Sequence, residues 1–295
     1  MSMATGNKKT RIIAIASGKG GTGKTTVAVN LAMTATVPVR LLDCDVEEPN
    51  CHLFVKPVIH KKSDVCVLVP EVDESLCNVC GECADFCRFG AIVSLKTKPL
   101  VFPDLCHGCG GCFHVCSREA IREVPYEVGV IESGMCGKNS QILFAQGRLN
   151  VGRAKSPPII RQLKRELPGQ SDPPARQGII TIIDAPPGTS CPFVSAVSGC
   201  DLVLLVTEPT PFGLHDMKLA VESLKQLALP VGAVINRVAG GSEIITQYCQ
   251  SEKIPVYLEI PDDRRIAEAY SCGRIVTDAV ADSKGLFERL WAAIP

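Results

Sequence analysis

The chain has 295 residues, of which 46% are hydrophobic and 21% charged, with sixteen cysteines and 31 basic side chains against 31 acidic ones. That apolar content supplies a sizeable core and excludes wholesale disorder. A formal net charge of zero lacks the electrostatic footprint of a dedicated nucleic-acid or anionic-membrane binder.

At the N-terminus, MSMATGNKKTR is basic, but the apolar run after it covers only Ile12 to Ala16, too short for a secretory signal. No apolar stretch approaches the roughly 20 residues that a membrane helix needs. The chain is therefore expected to be cytoplasmic, where thiols stay reduced and cysteine clusters read as metal ligands or redox groups before disulfides.

Residues 11–17, RIIAIAS, predict a strand, followed by the loop GKGGTGKTT and a helix beginning VAVNLAMTA. Gly18, Gly23, Lys24 and Thr25 satisfy G-x-x-x-x-G-K-[ST] in the strand–loop–helix setting that the motif requires. Backbone N–H groups of such a loop form an anion nest at a helix N-terminus. Lys24 neutralises phosphate charge there, and Thr25 offers a hydroxyl to Mg²⁺. The candidate nucleotide contacts here are Gly18, Gly20, Gly21, Thr22, Gly23, Lys24, Thr25 and Thr26.

Continuous apolar runs at 40–43, 178–184, 201–209, 231–238 and 256–260 predict strands buried on both faces. Helical patterns at 211–228, 242–253 and 263–270 lie between and after them, which gives an α/β fold around a mostly parallel sheet. The stretch 134–178 reads as a helix, SPPIIRQLKREL, flanked by Pro/Gly loops and without chemistry.

One stretch breaks this rhythm. SLCNVCGECADFCRFGAI (75–92) repeats as DLCHGCGGCFHVCSREAI (104–121) at an offset of 29, which marks a separate unit over 70–126 inserted into a domain formed by 1–69 and 127–295. Each copy carries C-x2-C-x2-C-x3-C: Cys77, Cys80, Cys83 and Cys87, then Cys106, Cys109, Cys112 and Cys116. Zinc is the alternative reading, but its sites use two cysteine pairs and not an even triplet plus one. The eight other cysteines, at 44, 51, 66, 136, 191, 200, 249 and 272, read mostly as small buried hydrophobes.

The second loop lysine, Lys19, resembles the deviant phosphate loop of the MinD/ParA/Mrp ATPases and the nitrogenase iron protein. LLDCDVEEPN (41–50) resembles that family's switch I, and IIDAPPGTS (182–190) its Walker B and switch II stretch. The resemblance implies a MinD-like (SIMIBI) P-loop NTPase that binds Mg·ATP between two subunits, as a homodimer or a heterodimer with a paralogue. It implies that Lys19 reaches the partner's site and that Asp45 positions the attacking water. Asp43 joins the nucleotide-binding residues, Asp184 lies toward Mg²⁺ with Thr25, and Gly188 senses the γ-phosphate. INR (235–237) and IPDD (260–263) resemble the adenine pocket and assign Asn236, Pro261 and Asp263 to it. Lys19, Lys24 and Asp45 are the residues expected to carry a slow, partner-stimulated hydrolysis.

The cysteine repeat resembles a bacterial two-cluster ferredoxin, a small α+β domain in which the fourth cysteine of each run crosses to the other cluster. This implies one [4Fe–4S] on Cys77, Cys80, Cys83 and Cys116, and another on Cys87, Cys106, Cys109 and Cys112. Arg88 and Ser117 depart from that pattern, which has proline after each fourth cysteine. His107 and His114 are expected to tune potential by hydrogen bonding rather than to ligate iron. Cys191 follows Asp184 by seven residues, the offset at which the nitrogenase iron protein places a ligand to a cluster shared between subunits; Cys136 is the candidate second ligand.

Three functions compete: ATP-gated electron transfer to a redox partner, loading of metal–sulfur clusters onto a client protein, and a redox-sensing positioning ATPase. Zero net charge counts against the third, and neither nucleic acid nor membrane is expected as a partner. The closing GLFERLWAAIP invites comparison with the MinD membrane anchor, but it lacks the Lys/Arg-rich face of one and is expected to pack on its own domain.

Overall fold

The computed structural model describes residues 11–136, 142–165 and 179–295. The first part of the chain runs β1 (Arg11–Ala16), α1 (Lys24–Met33), β2 (Val39–Asp43), α2 (Cys51–Val55) and β3 (Pro57–Val72). Next come α3 (Glu82–Phe86), β4 (Ile92–Ser94), β5 (Pro99–Val101), α4 (Gly111–Val115), β6 (Ile121–Cys136), β7 (Ile142–Leu149) and α5 (Ser156–Arg165). The remainder alternates β8 (Ile180–Asp184), α6 (Cys191–Val197), β9 (Leu202–Thr207), α7 (Pro211–Gln226), β10 (Val231–Val238), α8 (Glu243–Glu252) and β11 (Val256–Pro261). It closes with α9 (Arg264–Ser271), α10 (Val276–Ala279) and α11 (Ser283–Ala293).

Two compact units emerge: Met1–Lys62 with Ile131–Arg148 and Ile160–Pro295, and Ser63–Val130 with Leu149–Ile159. The second holds all eight repeat cysteines and extends beyond 70–126. It takes in 149–159, where the Lys155 ammonium donates to the carbonyl oxygen of Pro103 at 2.8 Å and also to that of Cys106.

The large sheet has the order β11-β10-β9-β1-β8-β2-β7-β6-β3, with parallel pairing from β11 through β7. The expected strands are all present, and their continuous apolar character has the expected cause: every residue of β2 and β9 is buried. Thr210 caps α7 by accepting the Gly213 N–H at 3.0 Å, and Asp263 caps α9 by accepting that of Arg265 at 2.8 Å. The predicted helix after 155 is α5; residues 166 and 167 of that prediction, and residue 178 of the predicted strand, lie outside the described residues.

The reading of 134–178 as helix and loops needs correction. β6 runs on to Cys136, and β7 pairs with β2 in register from Val39↔Ile142 to Asp43↔Gln146. β7 starts with the strand-forming run Ile142, Leu143 and Phe144, and its pairing with β2 carries the strand on through Gln146 and the strand-disfavouring Gly147.

The final helix packs as expected. Phe287, Leu290 and Ile294 join the core of the first unit, and the Trp291 indole N–H donates to the Leu31 carbonyl oxygen on α1 at 2.8 Å. Among the described residues, no helix is long and apolar enough to cross a membrane. Leu290 is fully buried, so Leu290→Ala is expected to lower unfolding stability by about 2–5 kcal/mol in urea titration. Lys284→Ala on the exposed face of the same helix should stay within about 0.5 kcal/mol of wild type.

Candidate functional site

β1 is flanked by β8 on one side and β9 on the other, so the loop leaving its C-terminal end opens where the winding of the sheet reverses. In open α/β sheets this is where ligands bind. Two glycines in the loop have no substitute. A Cβ on Gly18 would stand 2.1 Å from the Asp216 carbonyl oxygen, and Gly23 has φ +95° with Asn236 Nδ2 2.4 Å from where a Cβ would lie. The cleft above brings Gly20, Gly21, Gly23, Lys24, Thr25 and Thr26 together with Asp45, Asn236, Pro261 and Asp263.

Buried carboxylates form the floor. Asp43 and Asp184 are paired in register on β2 and β8, and both are fully buried. Asp43 accepts N–H groups from Asp45 (3.1 Å), Asn50 (2.9 Å) and Cys51 (2.9 Å), which tie the chain after β2 to the strand end. The Thr25 hydroxyl donates to Asp184 Oδ2 at 2.6 Å, and the Cys51 thiol lies 3.4 Å from the same oxygen. Burial, then repulsion from Asp184, pushes Asp43 well above the usual carboxylate range. Burial also raises Asp184, against the pull of Thr25 and Lys24. Asp184 Oδ1 is buried without a hydrogen-bond partner. That orphaned oxygen beside the Thr25 hydroxyl is the hard oxygen donor set that Mg²⁺ prefers, so the residues fit the ion.

Asp45 is pushed up to about 6, first by burial and then by Asp184, with Lys24 opposing. A carboxylate poised there suits proton exchange with a water near neutral pH. The Gly188 N–H donates to the Ser17 carbonyl oxygen at 3.0 Å, so the chain after β8 is bonded to the start of the phosphate loop.

Two expected residues carry structural work as well. Asn236 donates to the Thr22 carbonyl oxygen at 2.8 Å, bracing the loop from β10. Asp263 caps α9, and the Arg265 side chain holds it below the usual carboxylate range. Lys19 pairs within its own chain, 3.1 Å from Glu208 Oε2, while Arg237 takes Glu208 Oε1 at 2.5 Å. Glu208 was not legible as a site residue: an acid after an apolar strand is an ordinary strand ending.

In the second unit the eight cysteines line two cavities in crossed sets. One is bounded by Cys77, Cys80, Cys83 and Cys116, the other by Cys87, Cys106, Cys109 and Cys112. The repeat is mirrored in the backbone. Ala91 N–H donates to Cys87 Sγ and Ala120 N–H to Cys116 Sγ, each at 3.3 Å. The Asp73 N–H donates to the Ala120 carbonyl oxygen, and the Phe102 N–H to that of Ala91, so equivalent positions of the two copies exchange partners. Burial pushes Cys87 up, but the N–H groups of Phe89, Ala91, Ile92 and Gly90 outweigh it and hold the thiol below its ordinary value. Sulfurs that accept N–H bonds and face one cavity in fours fit thiolate ligation of a cluster.

His107 lines the second cavity and stacks on Phe89 with ring centroids 3.8 Å apart; His114 lies edge-on to Phe113. Cys191 is exposed at the start of α6. The pairing of Cys191 with Cys136 needs correction: Cys136 is buried in the core of the first unit, its thiol 3.3 Å from the Val55 carbonyl oxygen, because β6 carries it inward. Of the other spare cysteines, 44, 51, 200 and 249 are buried as expected, whereas 66 and 272 are exposed.

The model of the CobQ/CobB/MinD/ParA nucleotide-binding domain matches residues 13–276. An uncharacterized protein of Methanocaldococcus jannaschii is 32% identical over 287 residues, covering 89% of this chain and 90% of its own. An iron–sulfur cluster carrier protein of Pyrococcus abyssi is 26% identical over 84% of this chain and 66% of its own. Among solved structures, the septum site-determining protein MinD of Pyrococcus horikoshii, complexed with Mg-ADP, superposes with a TM-score of 0.56 at 21% identity, covering 95% of this chain and 94% of that one.

Gly18→Ala is expected to weaken binding of fluorescent ADP by more than about tenfold, whereas Gly240→Ala, with open space at its Cβ, should bind as wild type. Retained affinity in Gly18→Ala would show that the loop does not need the close approach to Asp216.

Proposed function

Because the chain belongs to the CobQ/CobB/MinD/ParA nucleotide-binding family, whose model spans residues 13–276, we propose that it is a dimeric ATP-driven switch whose cargo is electrons. In this reading it passes them through two [4Fe–4S] clusters to a partner protein. The observation that carries this is the crossed lining of the two cavities by the eight repeat cysteines. Eight thiols committed in fours describe permanent ligation, which suits transfer through a cluster better than release of one. Bound there, the clusters supply one-electron exchange between a reduced donor and an oxidised acceptor.

The chain's own residues do the rest. Lys24 and the loop N–H groups hold the phosphates, Thr25 and Asp184 hold Mg²⁺, and Asp45 orients the water. Catalysis is then positioning and charge neutralisation, with slow turnover until a partner completes the site. In the dimer, Lys19 exchanges Glu208 for the partner subunit's nucleotide. The bonds from Asp43 to residues 45, 50 and 51 and from Gly188 to Ser17 are the elements through which loss of the γ-phosphate is felt.

A second reading, loading of clusters onto clients, is favoured by the relatedness to the Pyrococcus carrier proteins and by the exposed Cys191. Midpoint potentials of the clusters with and without Mg·ATP separate the two. A nucleotide-dependent shift that disappears in Lys24→Ala is expected for gated transfer, and identical potentials in all four samples would favour delivery.

The crossed ligation has its own test. Cys77→Ser and Cys116→Ser are each expected to lower about eight irons per chain to about four, and the double variant should lose no more. Cys77→Ser with Cys87→Ser should lose both sets; the reverse pattern would mean uncrossed runs.

A further inference from the structure

A second, open cleft lies in the first unit beside α2 and the C-terminal half of β7. Gln146 forms part of its lining and is 6% exposed. Its amide orientation is set: Nε2 donates to Glu132 Oε2 at 2.8 Å, which leaves Oε1 as the acceptor, buried and without a partner. His52 Nδ1, also in the lining residues, is a second buried atom with no partner. An unmatched buried acceptor costs about 1–3 kcal/mol, so Gln146 Oε1 favours an arrangement in which a donor reaches it.

The charges around the cleft narrow the choice. Glu132 is engaged by Gln146 and lies 3.6 Å from the Arg148 guanidinium. Lys56, exposed at the end of α2, has no side-chain partner among the described residues. The lining thus includes two acceptor groups, the Gln146 amide oxygen and the Glu132 carboxylate, with cations at Lys56 and Arg148. Pro57 and Ile59 supply an apolar wall. An anion alone satisfies the cations and leaves Gln146 orphaned, and a cation alone does the opposite.

We propose that this cleft binds a small carboxylate that carries an amino or hydroxyl group on the neighbouring carbon. Its carboxylate is held by Lys56 and Arg148, its N–H or O–H is received by Gln146 and Glu132, and His52 Nδ1 supplies a further hydrogen bond. The site is separate from the nucleotide cleft, although Cys51, which precedes His52, donates its N–H to Asp43.

Calorimetric titration of the full-length protein with L-alanine, L-lactate, acetate and inorganic phosphate tests this. Saturable binding of alanine or lactate is expected, at least tenfold tighter than acetate, which lacks the donor, and than phosphate. Alanine above lactate would identify the amino form, and the reverse the hydroxyl form. Gln146→Met and, on the exposed rim, Lys56→Ala should each weaken that binding at least tenfold while ADP affinity stays unchanged. Absence of saturable heat from both acids into the millimolar range would overturn the proposal. So would acetate or phosphate binding as tightly, or wild-type affinity in Lys56→Ala.

Discussion

Two carboxylates, Asp43 and Asp184, stand level with each other on adjacent parallel strands, both shut away from solvent. Like charges so placed repel and are poorly solvated, which is why burial raises both titrations and why one of the four oxygens is left unmatched. Everything nearby compensates. Three N–H groups converge on Asp43, a hydroxyl and a thiol on Asp184, and the Lys24 ammonium lies close enough to pull the latter down. Loop, helix and both switch-like segments are thereby fastened to one charged spot whose orphaned oxygen fits a divalent cation. The geometry of the phosphate loop follows from the same place, since Thr25 cannot reach Asp184 unless Gly18 and Gly23 let the chain turn so tightly.

The cysteine unit solves a different problem, that of holding eight reactive groups in a stretch too small for a large core. Its apolar centre is built from equivalent positions of the two copies, Ile92 with Ile121, Cys83 with Cys112, and Val72 with Val101. Backbone conformation is conserved between copies even where residue type is not. Gly108 in the left-handed region corresponds to Val79 at φ 57°, and Gly90 to Glu119 at φ 51°. A β-branched residue held there is strained by about 1–3 kcal/mol, so the surrounding turn over-determines its shape.

How much of this was legible depended on whether a feature is local in sequence. GKGGTGKTT declares its loop because glycine spacing, lysine and threonine act over eight residues, and the alternation of apolar runs with helices declares the parallel sheet. The cysteine spacing was legible for the same reason, and the crossed sets followed from the family it resembles. What stayed hidden is what register creates. β7 runs on past Ala145 because β2 lies beside it, Cys136 is a core residue because β6 turns it inward, and Glu208 meets Lys19 because β9 pairs with β1. Gln146 shows this most clearly, being an unremarkable amide in the chain that pairing places opposite Asp43.

The exchange of partners makes the two cysteine copies depend on each other. Asp73 of the first copy bonds Ala120 of the second and Phe102 of the second bonds Ala91 of the first, while each cavity takes its fourth sulfur from the other run. A single copy would lack both its backbone partner and its fourth thiol, and would find them only in another molecule of itself. The duplicated unit is therefore built as a homodimer is, with a linker that keeps each copy's partner at a fixed effective concentration.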